Sequence, residues 1–210
     1  MPRLPADIFT VVSVNKVGRP SKARQRMGEI LRAMTAVVAR DGLAGITIAN
    51  VAAAAGLQRT LVLHYFGSRD ELMASFITTA VAEYGDRMVG GDGPECEPIE
   101  ARLDRLFEPG TYRSREDLVI WAELVAKAAR DQTVRQRLHE LWTGRWLPEI
   151  ERQLGLAYPD TDAERVEQVA YALACLVEAH WYFQLQGVDD DRRRRQAQQA
   201  ARTLLTTLGA

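Results

Sequence analysis

The segment that most constrains the fold of this chain is Thr47–Leu72, with the sequence TIANVAAAAGLQRTLVLHYFGSRDEL. It predicts two short helices joined by a tight turn, with a third helix directly after them. Thr47 can cap the first helix with its hydroxyl, and the alanine-rich run from Ile48 to Ala55 favours helix. Gly56 can adopt the left-handed backbone on which such a helix commonly ends.

The second of these helices has two different faces. Val62 and Phe66 lie four residues apart and share the face that packs. The opposite face carries Arg59, Thr60, Leu63 and His64. Because Ala52 and Ala55 are small, the first two helices can approach closely, and the second can protrude into a groove about 12 Å wide. This pattern is typical of a helix-turn-helix that reads DNA.

The helices on either side complete a predicted N-terminal unit. Gly67-Ser68 ends the second short helix, and Ser68 with Glu71 forms a capping box for the next one. Upstream, we predict a helix from Lys22 to Arg40. Its apolar stripe consists of Met27, Ile30, Leu31, Met34, Val37 and Val38. We expect this unit to have a hydrophobic core of its own.

Charge is distributed unevenly along the chain. The formal net charge is −1, yet the residues through Asp70 include ten lysines and arginines against four acids. The remainder has 17 basic and 24 acidic residues and is therefore negative. A basic N-terminal unit on an acidic body favours contact with phosphates at one end only.

Together these motifs resemble the DNA-binding module of the tetracycline-repressor (TetR) family, most strongly over residues 20 to 75. The resemblance rests on Ile46-Thr47, Val51-Ala52, Ala55-Gly56-Leu57, His64-Tyr65-Phe66 and Arg69-Asp70-Glu71-Leu72. It implies an all-α homodimer that binds a palindromic DNA operator and responds to a small molecule, most often as a repressor. Where the family has a hydroxyl-bearing residue and a tyrosine that touch phosphates, this chain has Leu61 and Leu63. Leu63 can instead meet a thymine methyl.

We predict DNA contacts from the recognition helix, its flanks and a basic N-terminal arm. The predicted contact residues are Arg19, Lys22, Thr47, Gln58, Arg59, Thr60, Leu63, His64, Tyr65 and Arg69. An arginine on such an arm can enter the minor groove. Three alternatives stay open at this point. The arm can be a solvated tail, the outward helix face can be unused, and Arg69 can be a surface charge.

The remaining residues predict a helical body with a ligand pocket. All four tryptophans lie in this part, and aromatic rings suit a small hydrophobic or cationic molecule. The predicted ligand residues are Tyr112, Trp121, Trp142, Trp146, His180 and Phe183. Packing of these rings in the core is the competing interpretation. Pro148 cannot donate a hydrogen bond to the carbonyl of Gly144, so we expect the helix to open beside Trp142 and Trp146.

The last two predicted helices favour dimerisation. One runs from Ala163 to Gln186, and the other follows Gly187 and is opened by Asp189 to Asp191. The predicted interface residues are Val166, Val169, Leu173, Val177, Ala201, Leu204 and Leu208. Two such helices from each subunit would form a four-helix bundle.

The predicted organisation is therefore a flexible basic arm (1–21), a helix-turn-helix domain (22–68) and a ligand-binding and dimerisation domain (69–210). A ligand that prefers a body conformation in which the fourth helix has swung would move the recognition helices away from one turn of DNA, about 34 to 36 Å.

Other classes of protein find less support. Cys96 and Cys175 lack metal-site spacing, so we predict no cofactor, no disulfide framework and a cytoplasmic protein. His139-Glu140 lacks the second histidine of a zinc protease, and we predict no enzyme. The longest apolar run, Val169 to Val177, is too short to cross a membrane. A helical carrier or enzyme, and a regulator whose body binds a protein, remain the alternatives.

Overall fold

A computed structural model describes residues 22–88, 98–110 and 114–209, and over these ranges the chain is helical without a strand. This confirms the predicted all-α class. The helices are α1 (Lys22–Asp41), α2 (Ile48–Ala55), α3 (Arg59–Phe66), α4 (Arg69–Met88), α5 (Ile99–Arg105), α6 (Arg115–Ala128), α7 (Gln132–Leu141), α8 (Leu147–Ala157), α9 (Ala163–Leu185) and α10 (Asp191–Thr206). A 3-10 turn, Leu43–Gly45, precedes α2, and a π-helical segment, Trp142–Trp146, joins α7 to α8.

Residues 22–68, which we call the head, form the predicted helix-turn-helix. The hydroxyl of Thr47 accepts a hydrogen bond of 3.0 Å from the backbone N–H of Asn50. Gly56 ends α2 with a φ of 64°, in the left-handed region. The Ser68 hydroxyl accepts from the N–H of Glu71 and donates to its carboxylate. These caps fix the ends of α2 and the start of α4, and they confirm the predicted signals.

The predicted helix disruption near Pro148 takes the form of a wider turn. Pro148 lies at the start of α8, and the N–H of Leu147 bonds to the carbonyl of Trp142, five residues back. A missing N–H at position 148 removes one ordinary helical bond, and the π-helical spacing accommodates the loss. Trp142 and Trp146 are the two ends of this segment.

The hydrophobic core is continuous from the head into the body. Met34 in α1, Val62 in α3 and Leu72 in α4 are fully buried, and they belong to the same cluster as Leu124 and Val177 in the body. Our expectation of a separate head core is therefore wrong. Two helices join the head and the body. The buried apolar side chains of α4 pack against both parts, and α6 of the body packs against α1 of the head.

The predicted dimer residues need a correction. Within a single chain, every one except Leu204 is a buried core residue, and Leu204 is partly buried against the same core: Val166, Val169, Leu173, Val177, Ala201, Leu204 and Leu208. The apolar stripe is real, but α8, α6 and α10 cover it. The apolar side chains that α9 exposes lie on another face, at Tyr171 and Phe183.

Some predicted features lie outside the described residues. These are the arm (1–21) with Arg19, together with Cys96 and Tyr112. Among the described helices, none combines the length and the apolar character needed to cross a bilayer.

Candidate DNA-binding surface and effector cavity

The outward face of α3 is the candidate DNA-binding surface. Val62 and Phe66 are buried and hold α3 against the head core. Their burial leaves the other side of the helix in solvent. The exposed residues there are Gln58, Arg59, Thr60, Leu63 and His64. The four on α3 were predicted to face outward, and Gln58 was predicted only as a DNA contact. Together they present one cation, several hydrogen-bonding groups and an apolar leucine.

Tyr65 and the two leucines of α3 have different surroundings. Tyr65 is half-buried, packs on the core and meets the His64 ring edge-on at 5.2 Å between centroids. Leu63 has 41% of its surface exposed, whereas Leu61 is half-buried. Leu63 is therefore free to meet an apolar group such as a thymine methyl, and Leu61 is less accessible.

Lys22 and Arg69 lie at the ends of helices that flank α3. Lys22 is exposed at the first residue of α1. Arg69 begins α4, and its Nε donates a 2.6 Å hydrogen bond to the carbonyl of Ile46. This bond connects the start of α4 to the loop before α2. Part of the guanidinium therefore stabilises the head. The rest of it lies 3.7 Å from the Asp70 carboxylate.

An apolar cavity of about 50 Å³ lies in the body between α5, α8, the π segment and α9. Its lining consists of Ile99, Arg102, Leu103, Leu106, Trp142, Trp146, Ile150, Gln153, Leu154, Leu173, Ala174 and Val177. Trp142 and Trp146 are in edge contact at 4.5 Å between ring centroids. Arg102 and Gln153 supply the polar groups of an otherwise hydrocarbon surface.

Trp121 lies behind this cavity rather than in its wall. Its ring is buried 5.4 Å from that of Trp146, and its Nε1 donates a 2.9 Å hydrogen bond to Oε2 of Glu178. Burial raises the pKa of Glu178, and the bond from Trp121 opposes that rise. Burial, together with the nearby Glu178, raises the pKa of Tyr182 to about 12. Among the described residues, nothing pairs with Oε1 of Glu178 or with the Tyr182 hydroxyl.

His180 and Phe183 belong to a different place. With Leu176, Ala179, Val188, Arg193 and Ala197, they line a surface groove between α9 and α10. Burial lowers the pKa of His180, and the charge of Arg194 adds to this effect. The predicted ligand residues are thus split. Trp142 and Trp146 line the cavity, Trp121 supports it, and His180 and Phe183 lie apart from it.

Sequence reasoning missed most of the cavity wall. Leu103 and Leu106 were not among the predicted ligand residues, and Leu173 and Val177 were assigned to a dimer surface. Their apolar spacing was visible, but the packing of α5 against α8 is a contact across some fifty residues of sequence. A single sequence contains no signal for that pairing.

The head defines the class of this chain, a helix-turn-helix DNA-binding protein. A family model described as "Bacterial regulatory proteins, tetR family" matches residues 30–76, which include α2, α3 and the start of α4. The head therefore matches the DNA-binding domain of that family, and the whole chain is similar to transcriptional regulators that contain it.

Relatives extend the likeness beyond the head. The HTH-type transcriptional regulator BetI of Rhizobium meliloti is 26% identical over 150 residues, which cover 70% of this chain and 73% of BetI. BetI 2 of Chromohalobacter salexigens is 26% identical over 206 residues, 92% of this chain and 94% of the relative. The crystal structure of a TetR transcription regulator from Haloarcula marismortui superimposes with a TM-score of 0.69 at 19% identity, covering 87% of this chain and 97% of the other. The last comparison supports the fold of the body as well as that of the head.

Proposed function

We propose that this chain is a repressor that binds a palindromic operator as a homodimer and leaves it when a small effector enters the body. The exposed polar face of α3 carries the proposal. Two buried residues, Val62 and Phe66, hold that face outward, and the caps at Thr47 and Gly56 fix the turn before it. A rigid helix with a free polar face has the geometry of major-groove recognition.

The proposed contacts divide into base readers and phosphate anchors. Arg59, Thr60 and His64 lie where base edges would be read, and Leu63 would meet a thymine methyl. Gln58, Tyr65 and Thr47 flank them. Lys22, Arg69 and Arg19 would contact phosphates or the minor groove.

The proposed effector site is the cavity bordered by Trp142 and Trp146. Its hydrocarbon lining favours a small hydrophobic molecule. Glu178 follows the wall residue Val177 without lining the cavity, and an effector that displaced the wall and reached its unpaired Oε1 would be favoured by a positive charge or a hydrogen-bond donor. Both ligand classes therefore stay within the proposal.

We propose a dimer interface on the side of α9 that stays exposed in the single chain. Tyr171, Cys175, Ala179 and Phe183 repeat every four residues along it, and all four are exposed. Two large apolar side chains in a stripe of this kind favour a partner surface. The head (22–68) would bind DNA, and the body (69–210) would bind the effector and the second subunit.

We further propose that the chain acts in the cytoplasm and has no catalytic activity, as a regulator of transcription. A carrier of small molecules is the alternative from another class. It would bind its ligand in the same cavity but show no preference for any DNA sequence.

Selection of genomic fragments by the full-length chain, followed by fluorescence anisotropy on the enriched duplex, tests the proposal. Arg59→Ala should weaken binding by roughly 1 to 3 kcal/mol, or about 5- to 150-fold, because a bidentate base contact is worth that much. Arg135→Ala is the matched control, since Arg135 is an exposed arginine on α7, outside the head. Failure to enrich any sequence, or equal losses in the two variants, would reject the DNA-reading surface.

A further inference from the structure

Helix α6 lies between the head and the rest of the body, and two of its residues point to opposite sides. Trp121 and Glu123 are two positions apart, which separates their side chains by about 200° around a helix. Trp121 packs in the body near Trp146. Glu123 reaches the head instead.

The carboxylate of Glu123 caps a backbone group of the head. Its Oε2 accepts a 3.0 Å hydrogen bond from the backbone N–H of Leu43, a residue 80 positions earlier in the chain. Leu43 is the first residue of the 3-10 turn, and the N–H groups at the start of such a turn lack partners within it. Gly42 precedes this turn without a side chain that could cap it. A body residue therefore supplies the cap that local sequence lacks.

Gly42 is fitted to this contact in two ways. Its φ is 69°, a conformation that residues with a Cβ seldom adopt. A Cβ at this position would lie 3.1 Å from Oε1 of Glu123. The turn between α1 and α2 thus leaves room for a carboxylate at short range.

We propose that Glu123 is a positioning residue that fixes the orientation of the head relative to the body. The bonded turn leads directly into α2, and its first residue Leu43 and the following Ile46 are buried in the core. A shift of α6 would displace the carboxylate and with it the start of α2. Because α2 supports α3, the bond between Glu123 and Leu43 would help set the distance between the two recognition helices of a dimer. This last step depends on the proposed function, whereas the contact itself does not.

Hydrogen exchange at the Leu43 amide tests the contact directly in the full-length chain. A cleft of about 680 Å³ borders Leu43 and Glu123, so water reaches the amide when the bond opens. Glu123→Ala and Glu123→Asp should each raise its exchange rate about tenfold or more, since a hydrogen bond to a charged group is lost in one and shortened out of reach in the other. Glu123→Gln keeps an acceptor oxygen and should retain protection. Glu140→Ala, on the exposed face of α7, is the control and should leave the rate unchanged.

The second readout is the tolerance of DNA binding to half-site spacing. A duplex enriched by the wild-type chain is compared with the same duplex carrying one extra base pair between its half-sites. The wild-type chain should prefer the original spacing, and Glu123→Ala and Glu123→Asp should reduce that preference about tenfold, because the heads can then rotate. Glu123→Gln should restore most of it.

The two readouts separate failure of this inference from failure of the proposed function. Loss of Leu43 protection in a chain that selects no DNA would support the contact and reject the regulator. Unchanged protection in both Glu123→Ala and Glu123→Asp would overturn the inference. The inference would also be overturned if protection is lost but the spacing preference of both variants equals that of the wild-type chain. A variant that does not fold is replaced by the other in the same comparison.

Discussion

Glu178 is the residue whose environment is least expected of a structural side chain. Its carboxylate is largely buried between α9 and α6, where Trp121 donates to one oxygen and the other oxygen has no donor among the described residues. The hydroxyl of Tyr182, one helical turn later, is also buried without a hydrogen-bond partner among the described residues. A buried polar atom without a partner costs free energy of folding, and such costs are commonly found where a ligand later binds.

Glu178→Gln tests that cost through its dependence on pH. Burial raises the pKa of Glu178 in the folded chain, so the folded chain holds this proton at pH values where the unfolded chain has released it. The stability of the wild-type chain therefore falls as pH rises from the ordinary value of about 4.5 through the raised value. The glutamine variant keeps an acceptor for Trp121, and its side chain does not ionise, so its stability does not fall in this way as pH rises. At pH 8 it should melt about 2 to 4 °C above the wild-type chain.

Thermal melts of both chains between pH 4 and pH 8 provide the measurement. The difference should vanish near pH 4, where the wild-type carboxyl is protonated in both states. Tyr182→Phe is the companion variant, because it removes the neighbouring unpaired hydroxyl without changing charge. A glutamine variant that is less stable at pH 8 than the wild-type chain would contradict the prediction.

At the scale of single helices, the sequence predicts the head far better than the body. Both ends of α2 and the start of α4 follow from Thr47, Gly56 and Ser68, because capping depends on neighbours within a few residues. For α9 the apolar stripe through Leu173 was recognised correctly, and its role was not. Periodicity shows that a face is apolar, but it does not show whether the same chain or a second subunit covers it.

The exposed face of α9 gives a prediction about dimerisation. Phe183→Glu should weaken the dimer by about 100-fold or more, because a desolvated charge without a partner would lie in the interface. Phe183 has 52% of its surface exposed in the single chain, so the change should leave folding stability nearly intact. Sedimentation over a range of concentrations measures the effect.

Leu156→Glu is the matched control for that experiment. Leu156 lies on α8 rather than on α9 and is 70% exposed. The Leu156→Glu variant should remain dimeric. In a Cys96→Ser background, Cys175 should also react more slowly with a maleimide in the dimer than in Phe183→Glu. Equal dimer strength for Phe183→Glu and the wild-type chain would place the interface elsewhere.

At the scale of the whole molecule, the continuous core was the feature that sequence reasoning could not reach. The basic head and acidic body suggested two independent units, and the basic part of the chain contains the residues 30–76 that the family model matches. Yet α4 and α6 join the two parts through buried side chains, and these contacts are set by three-dimensional packing. The same limit applies to the cavity, where only Trp142 and Trp146 of its wall were predicted.

Binding of the whole dimer to DNA should depend strongly on salt. With four to six phosphate contacts, the logarithm of the binding constant should fall with the logarithm of salt concentration at a slope of about −4 to −5. Anisotropy titrations on the enriched duplex measure this slope. Removal of residues 1–21, which include Arg19, should make it shallower. An affinity that is independent of salt would exclude phosphate anchoring by the head.

The small volume of the proposed effector cavity has a consequence for rates. A space of about 50 Å³ is far below the roughly 300 Å³ at which drug-sized ligand sites begin. An effector of that size can enter only after the rings at the π segment and the neighbouring helices have moved. The observed association rate should therefore level off as effector concentration rises, at the frequency with which the cavity opens. The protein's own fluctuations, rather than diffusion of the effector, would then determine how quickly a gene responds.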